Sequence, residues 1–498
     1  MAARYDVLIH NAQLYDGTGD TPRQADIGVE GQRIALVGSA DGASGKTEID
    51  ASGLAVAPGF IDVHTHDDFA ALAYPDMAFK TRGGVTTVVV GNCGFGAAPH
   101  AAAAEMAGGL SVKGGIPAYD GYAGYMAKLK GIGANVAVLA GHGTLRFAAM
   151  GRDNRAPTGA EMDHMKGSLR EAIDAGVVGM SSGLVYEPGK YAQTDELAEL
   201  AGLMRGTGGL YATHMRDEGK GLLTSVKEAI EIGARAGVPV QISHHKASGR
   251  VAWGLVSQSL KLIEQAQAEG GNVHADQYPY TAGSTMLRSV LQNGAFSKDA
   301  EGDGGIGSAR PADVVVASAP GHPEWEGQSI EALSKILDKP PLAAAEQVAT
   351  EASGATVILH LMSEDDVRTV LRHPSTMIGS DGIPTLEGKP HPRLYNTFAR
   401  VLGHYARDLA LMPLEEAVYR MTGFSAKKFS MPERGEVRTG AYADLVVFDA
   451  GQVIDTGTFE DPNRYPEGIV HVFVNGGQVI RDGQVTDARP GQVVKRPG

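Results

Sequence analysis

The sequence predicts an α/β protein: a (β/α)8 TIM barrel carrying a small β-sandwich domain formed by the N- and C-terminal segments. The first observation is a rhythm. From residue 58, short and nearly continuous apolar runs alternate with helical stretches, as expected of a parallel sheet covered by helices. About eight repeats over roughly 350 residues imply a closed barrel. The second is that polar residues recur at the ends of the runs, where a barrel places its sites. The third is a β-rich texture with little helix at both ends of the chain.

Residues 1–57 form the first part of the predicted sandwich. Asp6-Val7-Leu8-Ile9 is strand-like, Asp16-Gly17 and Glu30-Gly31 are turns, and Ile34-Ala35-Leu36-Val37-Gly38 follows. Residues 58–430 form the barrel. Its runs are Gly59–His66, Val85–Cys93, Asn135–His142, Val177–Leu184, Leu210–His214, Val238–His244, Val273–Tyr280, Thr356–Leu361 and Met377–Asp381. That is one run more than a barrel needs, and Thr356–Leu361 is read as the extra one. Thr158-Gly159-Ala160-Glu161 is a capping box, followed by Met162, Met165, Leu169 and Ile173 at helical spacing. Ser363 and Asp366 open another helix in similar fashion. The stretch from about 287 to 345 breaks the rhythm. It contains Glu301-Gly302-Asp303-Gly304-Gly305 and several prolines. It reads as an insertion after the seventh strand, either a lid or a flexible linker. Residues 431–498 return to β texture and supply the second part of the sandwich. Ala443–Asp449 and Val470–Gly477 are its clearest strands.

Composition bounds the function. A chain of 498 residues has room for two or three structural units. Its formal charge of -14 disfavours a role built on nucleic acid or anionic membrane, both of which need a basic face. The N-terminus lacks a signal-like apolar core, and no run is long enough to span a bilayer. With one cysteine, Cys93, no internal disulfide can form, so a soluble cytoplasmic protein is the expectation. Oligomeric state is not legible.

The chemistry starts at Gly59-Phe60-Ile61-Asp62-Val63-His64-Thr65-His66. Histidines at i and i+2 of a strand share a face, and two imidazoles on one face are half of a metal site. Two satisfied core histidines would read the same way. The other strand ends decide for the metal: Cys93, His142, His214, His244 and Asp381 end further runs. Core histidines placed at random would not choose strand ends so consistently. His245 competes with His244, and alternation lets only one face inward. His142 stays open between ligand, substrate contact and structural residue.

GFIDVHTH, single histidines on strands five and six and an aspartate on strand eight resemble the amidohydrolase superfamily, and the flanking β segments match its split sandwich. GNCGFGAAP, SSGLVYEPG, ATHMRDEG, ISHHK and SDG followed by HPRLYNTFARVLG resemble the N-acyl-D-amino-acid deacylases, or D-aminoacylases. The resemblance runs nearly end to end. It implies that Cys93, His214 and His244 hold a tight zinc, with His64 and His66 forming a second, weaker position. Many superfamily members bridge two metals with a carbamylated lysine on strand four. Here Gly179-Met180-Ser181-Ser182-Gly183 has none. A cysteine on strand two fills a comparable place in the deacylase branch, and thiolate is a strong, soft zinc ligand.

The implied reaction is zinc-dependent hydrolysis of an N-acyl-D-amino acid to a carboxylate and a free D-amino acid. Asp381 is the expected general acid-base, taking a proton from water and delivering it to the amine. A helix N-cap would use Asp381-Gly382 equally well. The substrate's α-carboxylate calls for cations, and Arg393 offers a planar fork. Lys246, Tyr278 and Tyr186 offer further donors. Residues around Val185 and Ser284 to Leu287 are expected at the side-chain pocket, Ser284 among the substrate contacts. The preference for the D hand comes from the resemblance alone. Rival readings are a cyclic-amide hydrolase of the hydantoinase or dihydroorotase kind, a D-dipeptidase, and a non-catalytic metal protein on a decayed barrel. The missing strand-four lysine opposes the first, and retention of Asp381 with a full ligand set opposes the last.

Overall fold

The computed structural model describes residues 4–107, 115–297 and 304–497. Eight parallel strands follow one another around a barrel: Phe60–Asp62, Val85–Val90, Asn135–Gly141, Gly179–Gly183, Leu210–His214, Val240–Ile242, Val273–Gln277 and Thr376–Ile378. Apart from His274, every residue in them is buried. That is why they read as continuous rather than alternating apolar runs. The first and eighth strands close the ring just past their ends. Thr65 bridges Gly382 in parallel fashion, and the Asp381 N–H donates to the His64 carbonyl at 2.7 Å.

Several strands stop short of their apolar runs. The first ends at Asp62, the second at Val90, the sixth at Ile242 and the eighth at Ile378. The residues beyond leave the extended conformation. Cys93, His244 and Asp381 adopt positive φ of 54°, 35° and 50°. Such angles cost a side-chain-bearing residue about 1–3 kcal/mol each and cluster at working sites. Face alternation therefore does not govern these side chains; the turns do.

The helix Gly159–Ala175 starts on the expected box: Thr158 N–H donates to Glu161 at 2.6 Å and Glu161 N–H to Thr158 Oγ1 at 3.3 Å. The helix Glu364–Arg372 begins after Ser363 without a comparable box. Asp366 instead accepts the Gly254 N–H at 3.0 Å, tying the helix to the loop after the sixth strand.

The run Thr356–Leu361 is not a barrel strand. Thr356–Leu359 is the central strand of a separate antiparallel sheet, between Gly283–Met286 and Val314–Ser318. The inserted unit thus begins before residue 287 and ends after 345. Long-range pairing set its limits, which local texture cannot report. It is a folded unit rather than a linker, with a core including Leu287, Val316, Trp325, Ile330, Val348 and Val357. Glu301-Gly302-Asp303 of the predicted insertion lie outside the described residues.

The terminal segments meet in one nine-stranded sheet. Its two parts join where Ala55–Pro58 pairs antiparallel with Leu445–Phe448. A core of its own includes Ile9, Ile27, Val29, Val56, Leu445, Val447 and Phe473. The chain end returns to the barrel, where Val493–Val494 pairs with the third strand. Among the described residues, no helix is long and apolar enough to cross a membrane.

Candidate metal centre and active site

Every residue that the sequence nominated as a metal ligand converges on one buried thiol. Cys93 Sγ lies 3.4 Å from His64 Nε2, 3.5 Å from His244 Nε2 and 3.8 Å from His214 Nδ1. His66 completes the group from the side of Asp381, whose Oδ1 is 3.1 Å from His66 Nε2 and 3.4 Å from His64 Nε2. Among the described residues three overlapping sets emerge, His64–Cys93–His244, His64–His66–Asp381 and His214–Glu218–His244, each with its ligand atoms within 4.8 Å of one another. Nitrogen, thiolate and carboxylate donors facing one another in a buried space fit a borderline-soft ion such as zinc. Burial opposes ionisation of Cys93, but His64 and His244 draw its pKa well below the usual thiol range. Burial likewise opposes charge on His66, and Asp381 and Cys93 raise its pKa to about 9.

The fourth strand shows what stands where a lysine was missing. Ser181 Oγ donates to the Gly91 carbonyl and accepts the Gly94 N–H at 3.0 Å, holding the loop that carries Cys93. Gly183 lets that loop approach, because a Cβ there would sit 2.0 Å from the Cys93 carbonyl oxygen. The polar strand end was legible; its partner was not.

His244 and His245 separate cleanly. The His244 ring joins the thiol group, whereas His245 Nε2 points outward to Ser259 Oγ at 2.8 Å. The turn at His244 makes the choice, with Asp276 Oδ1 accepting its N–H at 2.8 Å. His142 stands apart, paired with Glu196 at 2.8 Å, which also binds Arg146 at 2.7 Å.

Two carboxylates were missed by sequence reasoning. Glu218, four residues after His214, lies 3.0 Å from His244 Nδ1, 3.8 Å from His214 Nε2 and 2.7 Å from Lys246 Nζ. Asp276 sits 3.3 Å from His64 Nδ1 and so faces the far side of that imidazole. Carboxylates behind ligating imidazoles orient the rings and increase their basicity. The available signals were an acidic residue four positions past a strand-end histidine, and an aspartate on the seventh strand, Val273–Gln277.

The substrate-side candidates line one cavity: Tyr186, Lys246, Tyr278 and Ser284 share it with His214, Glu218, His244 and Asp381. Its apolar wall comes from the inserted unit and its flanks, Ile306, Leu359, Leu361 and Met362. Burial opposes the Lys246 ammonium, but Glu218 outweighs it and raises its pKa. Tyr186 is fixed by Thr285 Oγ1 at 3.1 Å, and its ring lies 4.9 Å from that of His214.

Arg393 faces Asp381. It is fully buried, with Nη2 2.9 Å from Asp381 Oδ2 and donating to the Ser284 carbonyl at 3.3 Å. Its Nε and Nη1 have no hydrogen-bond partner among the described residues. Burial opposes ionisation of Asp381, yet Arg393, then His244 and His64, hold its pKa well below the carboxylate range. Arg393 thus keeps Asp381 anionic, and one edge of its fork is unsatisfied. Arg393→Ala is expected to lower kcat about 10–100-fold as well as raise KM, since it withdraws a charge-assisted hydrogen bond from Asp381. Steady-state kinetics check this, and a pure KM effect would leave the ion pair without a catalytic role.

Known proteins resemble this chain in sequence and in fold. The amidohydrolase family model covers residues 47–286 and 339–480. A D-aminoacylase of Alcaligenes xylosoxydans xylosoxydans is 42% identical over 497 residues, spanning 99% of this chain and 98% of that one. An N-acyl-D-aspartate deacylase of the same organism is 39% identical over 500 residues, covering 99% and 95% of the two chains. Among solved structures, the N-acyl-D-glutamate deacylase of Bordetella bronchiseptica, complexed with zinc and a phosphonate mimic of the tetrahedral intermediate, superimposes with a TM-score of 0.89. It is 39% identical and covers 99% of this chain and 100% of its own.

Proposed function

The chain belongs to the amidohydrolase family, and on that premise we propose that it hydrolyses the amide of N-acyl-D-amino acids, releasing a carboxylate and a free D-amino acid with the help of zinc. The observation that carries this reading is the junction of two half-sites. A thiolate–imidazole donor set meets Asp381 on one side and a cavity wall bearing Lys246 and Tyr278 on the other. The D hand rests on the relatives, which are deacylases of N-acyl-D-amino acids by name and match end to end.

In this reading Cys93, His214 and His244 hold the tight zinc. His64, His66 and Asp381 frame a second, weaker position. Held by Cys93, His214 and His244, zinc would acidify water and polarise the scissile carbonyl. Asp381, ionised at neutral pH, takes the water's proton and passes it to the departing amine nitrogen. Lys246, charged against Glu218, receives the α-carboxylate, with Tyr278 beside it. The Tyr278 ring lies between the two cations, 4.3 Å from Arg393 Cζ and 5.9 Å from Lys246 Nζ, which supports a carboxylate subsite here. A reducing, cytoplasmic setting suits an enzyme whose single cysteine must remain a thiolate.

The test is release of free amino acid from paired N-acetyl-D- and N-acetyl-L-methionine, leucine and glutamate, beside a chelator-treated control. Release from the D series alone, lost with the metal, is the expected result. Release from neither series would overturn the reading.

A further inference from the structure

Beneath the site lies a cation that none of the chemistry above uses. Lys80, on the short helix Ala78–Thr81, is 2% exposed. Its ammonium donates to Asp62 Oδ2 at 2.9 Å and to Ser380 Oγ at 2.9 Å, and lies 3.4 Å from Asp67 Oδ2. These partners bracket the proposed chemistry. Asp62 and Asp67 flank the segment holding His64 and His66, and Ser380 directly precedes Asp381. The bracket is closed by further bonds. Asp62 Oδ1 accepts the Ser380 N–H at 2.8 Å, and Ser380 Oγ accepts the Gly382 N–H at 3.1 Å. Past their ends the first and eighth strands are also joined by the bridge between Thr65 and Gly382 with its neighbouring bonds, and by Ser380 Oγ, which donates to the His64 carbonyl at 3.4 Å. A buried ammonium facing two buried carboxylates is a costly arrangement, held only where its geometry is well satisfied.

We propose that Lys80 is a positioning residue: its buried ammonium locks the His64–His66 segment to the Asp381 segment across the barrel seam, and so sets the distance between the two histidines and Asp381. The inference rests on the roles assigned above to that pair and to Asp381. Two histidines on one chain segment and a carboxylate on another can serve one ion only if the seam between them is rigid. The ladder alone does not make it so. Lys80 supplies three contacts at that point from a third element.

Lys80→Met keeps the length and removes the charge. The apo protein is titrated with Co(II), whose thiolate charge-transfer band reports the Cys93 position while a further equivalent reports the second position. The band is expected to titrate as in the wild type. Affinity for the further equivalent is expected to fall roughly 10-fold or more, in the range seen when residues supporting metal ligands are removed. With substrate, kcat falls roughly 10–100-fold while KM stays within about 3-fold, the signature of lost transition-state stabilisation. Adding Asp67→Asn removes one of the two stranded carboxylates and leaves Asp62, whose Oδ1 still accepts the Ser380 N–H. It is expected to recover thermal stability without recovering kcat; recovery of both would reduce Lys80 to a charge neutraliser and overturn the proposal. Ser380→Ala cuts only the link to the eighth strand and is expected to give the same signature at smaller size. Wild-type metal binding and kcat in folded Lys80→Met, or in Ser380→Ala, would also overturn it. The Co(II) titration needs no substrate, so it separates failure of this proposal from failure of the functional reading.

Discussion

Asp381→Asn is expected to lower kcat about 1,000-fold, or about 4 kcal/mol of transition-state stabilisation. The substitution is nearly isosteric, so the loss is chemical rather than steric. Asp381 is 6% exposed and holds three partners at once: His66 at 3.1 Å, His64 at 3.4 Å and Arg393 at 2.9 Å. An amide cannot take a proton from water, and it leaves the Arg393 guanidinium without its counter-charge. Asp381 Oδ1 is itself within reach of an ion held by His64 and His66. The Cys93-centred position should keep its zinc, and the other should bind more weakly. Metal analysis after dialysis and single-turnover kinetics check both parts. Turnover within about 10-fold of wild type would remove Asp381 from the acid-base role.

Cys93→Ser should remove the tight zinc. Three imidazole nitrogens face Sγ at 3.4–3.8 Å, so the thiolate is the shared centre of the donor set. A serine hydroxyl keeps its proton at neutral pH and is a harder, weaker ligand than thiolate. Supporting residues around metal ligands are worth about 10–100-fold in affinity, and loss of a ligand itself should exceed that. Dialysed Cys93→Ser is therefore expected to carry little zinc and to be almost inactive, with partial recovery in excess zinc. Full zinc retention after dialysis against chelator would displace Cys93 from the centre of the site.

The barrel was legible because burying both faces of a strand demands an unbroken apolar run, which is a local property of the sequence. The terminal β segments were legible by texture, and Thr356–Leu361 was set aside because it broke the count. Its pairing with Gly283–Met286 and Val314–Ser318 was not legible, because antiparallel partners separated by long chain leave no local mark. The ligand types at strand ends stood out for a similar reason: polar residues are costly at the rim of an apolar barrel unless they have work there.

The partners of those residues belong to the tertiary structure. Residue types nominated Arg393 for substrate, and closure of the barrel also set it beside Asp381. Local alternation framed the choice between His244 and His245, but a left-handed turn and Asp276 made it. Glu218 and Lys80 are ordinary acidic and basic residues in the sequence. They acquire meaning only when folding sets one beside His244 and Lys246, and the other between the two strands that close the ring. A sequence declares which residues can bind a metal or carry a proton, since that is a property of the side chain. Which charge faces which is a property of distance, and for groups hundreds of residues apart only the folded barrel supplies it.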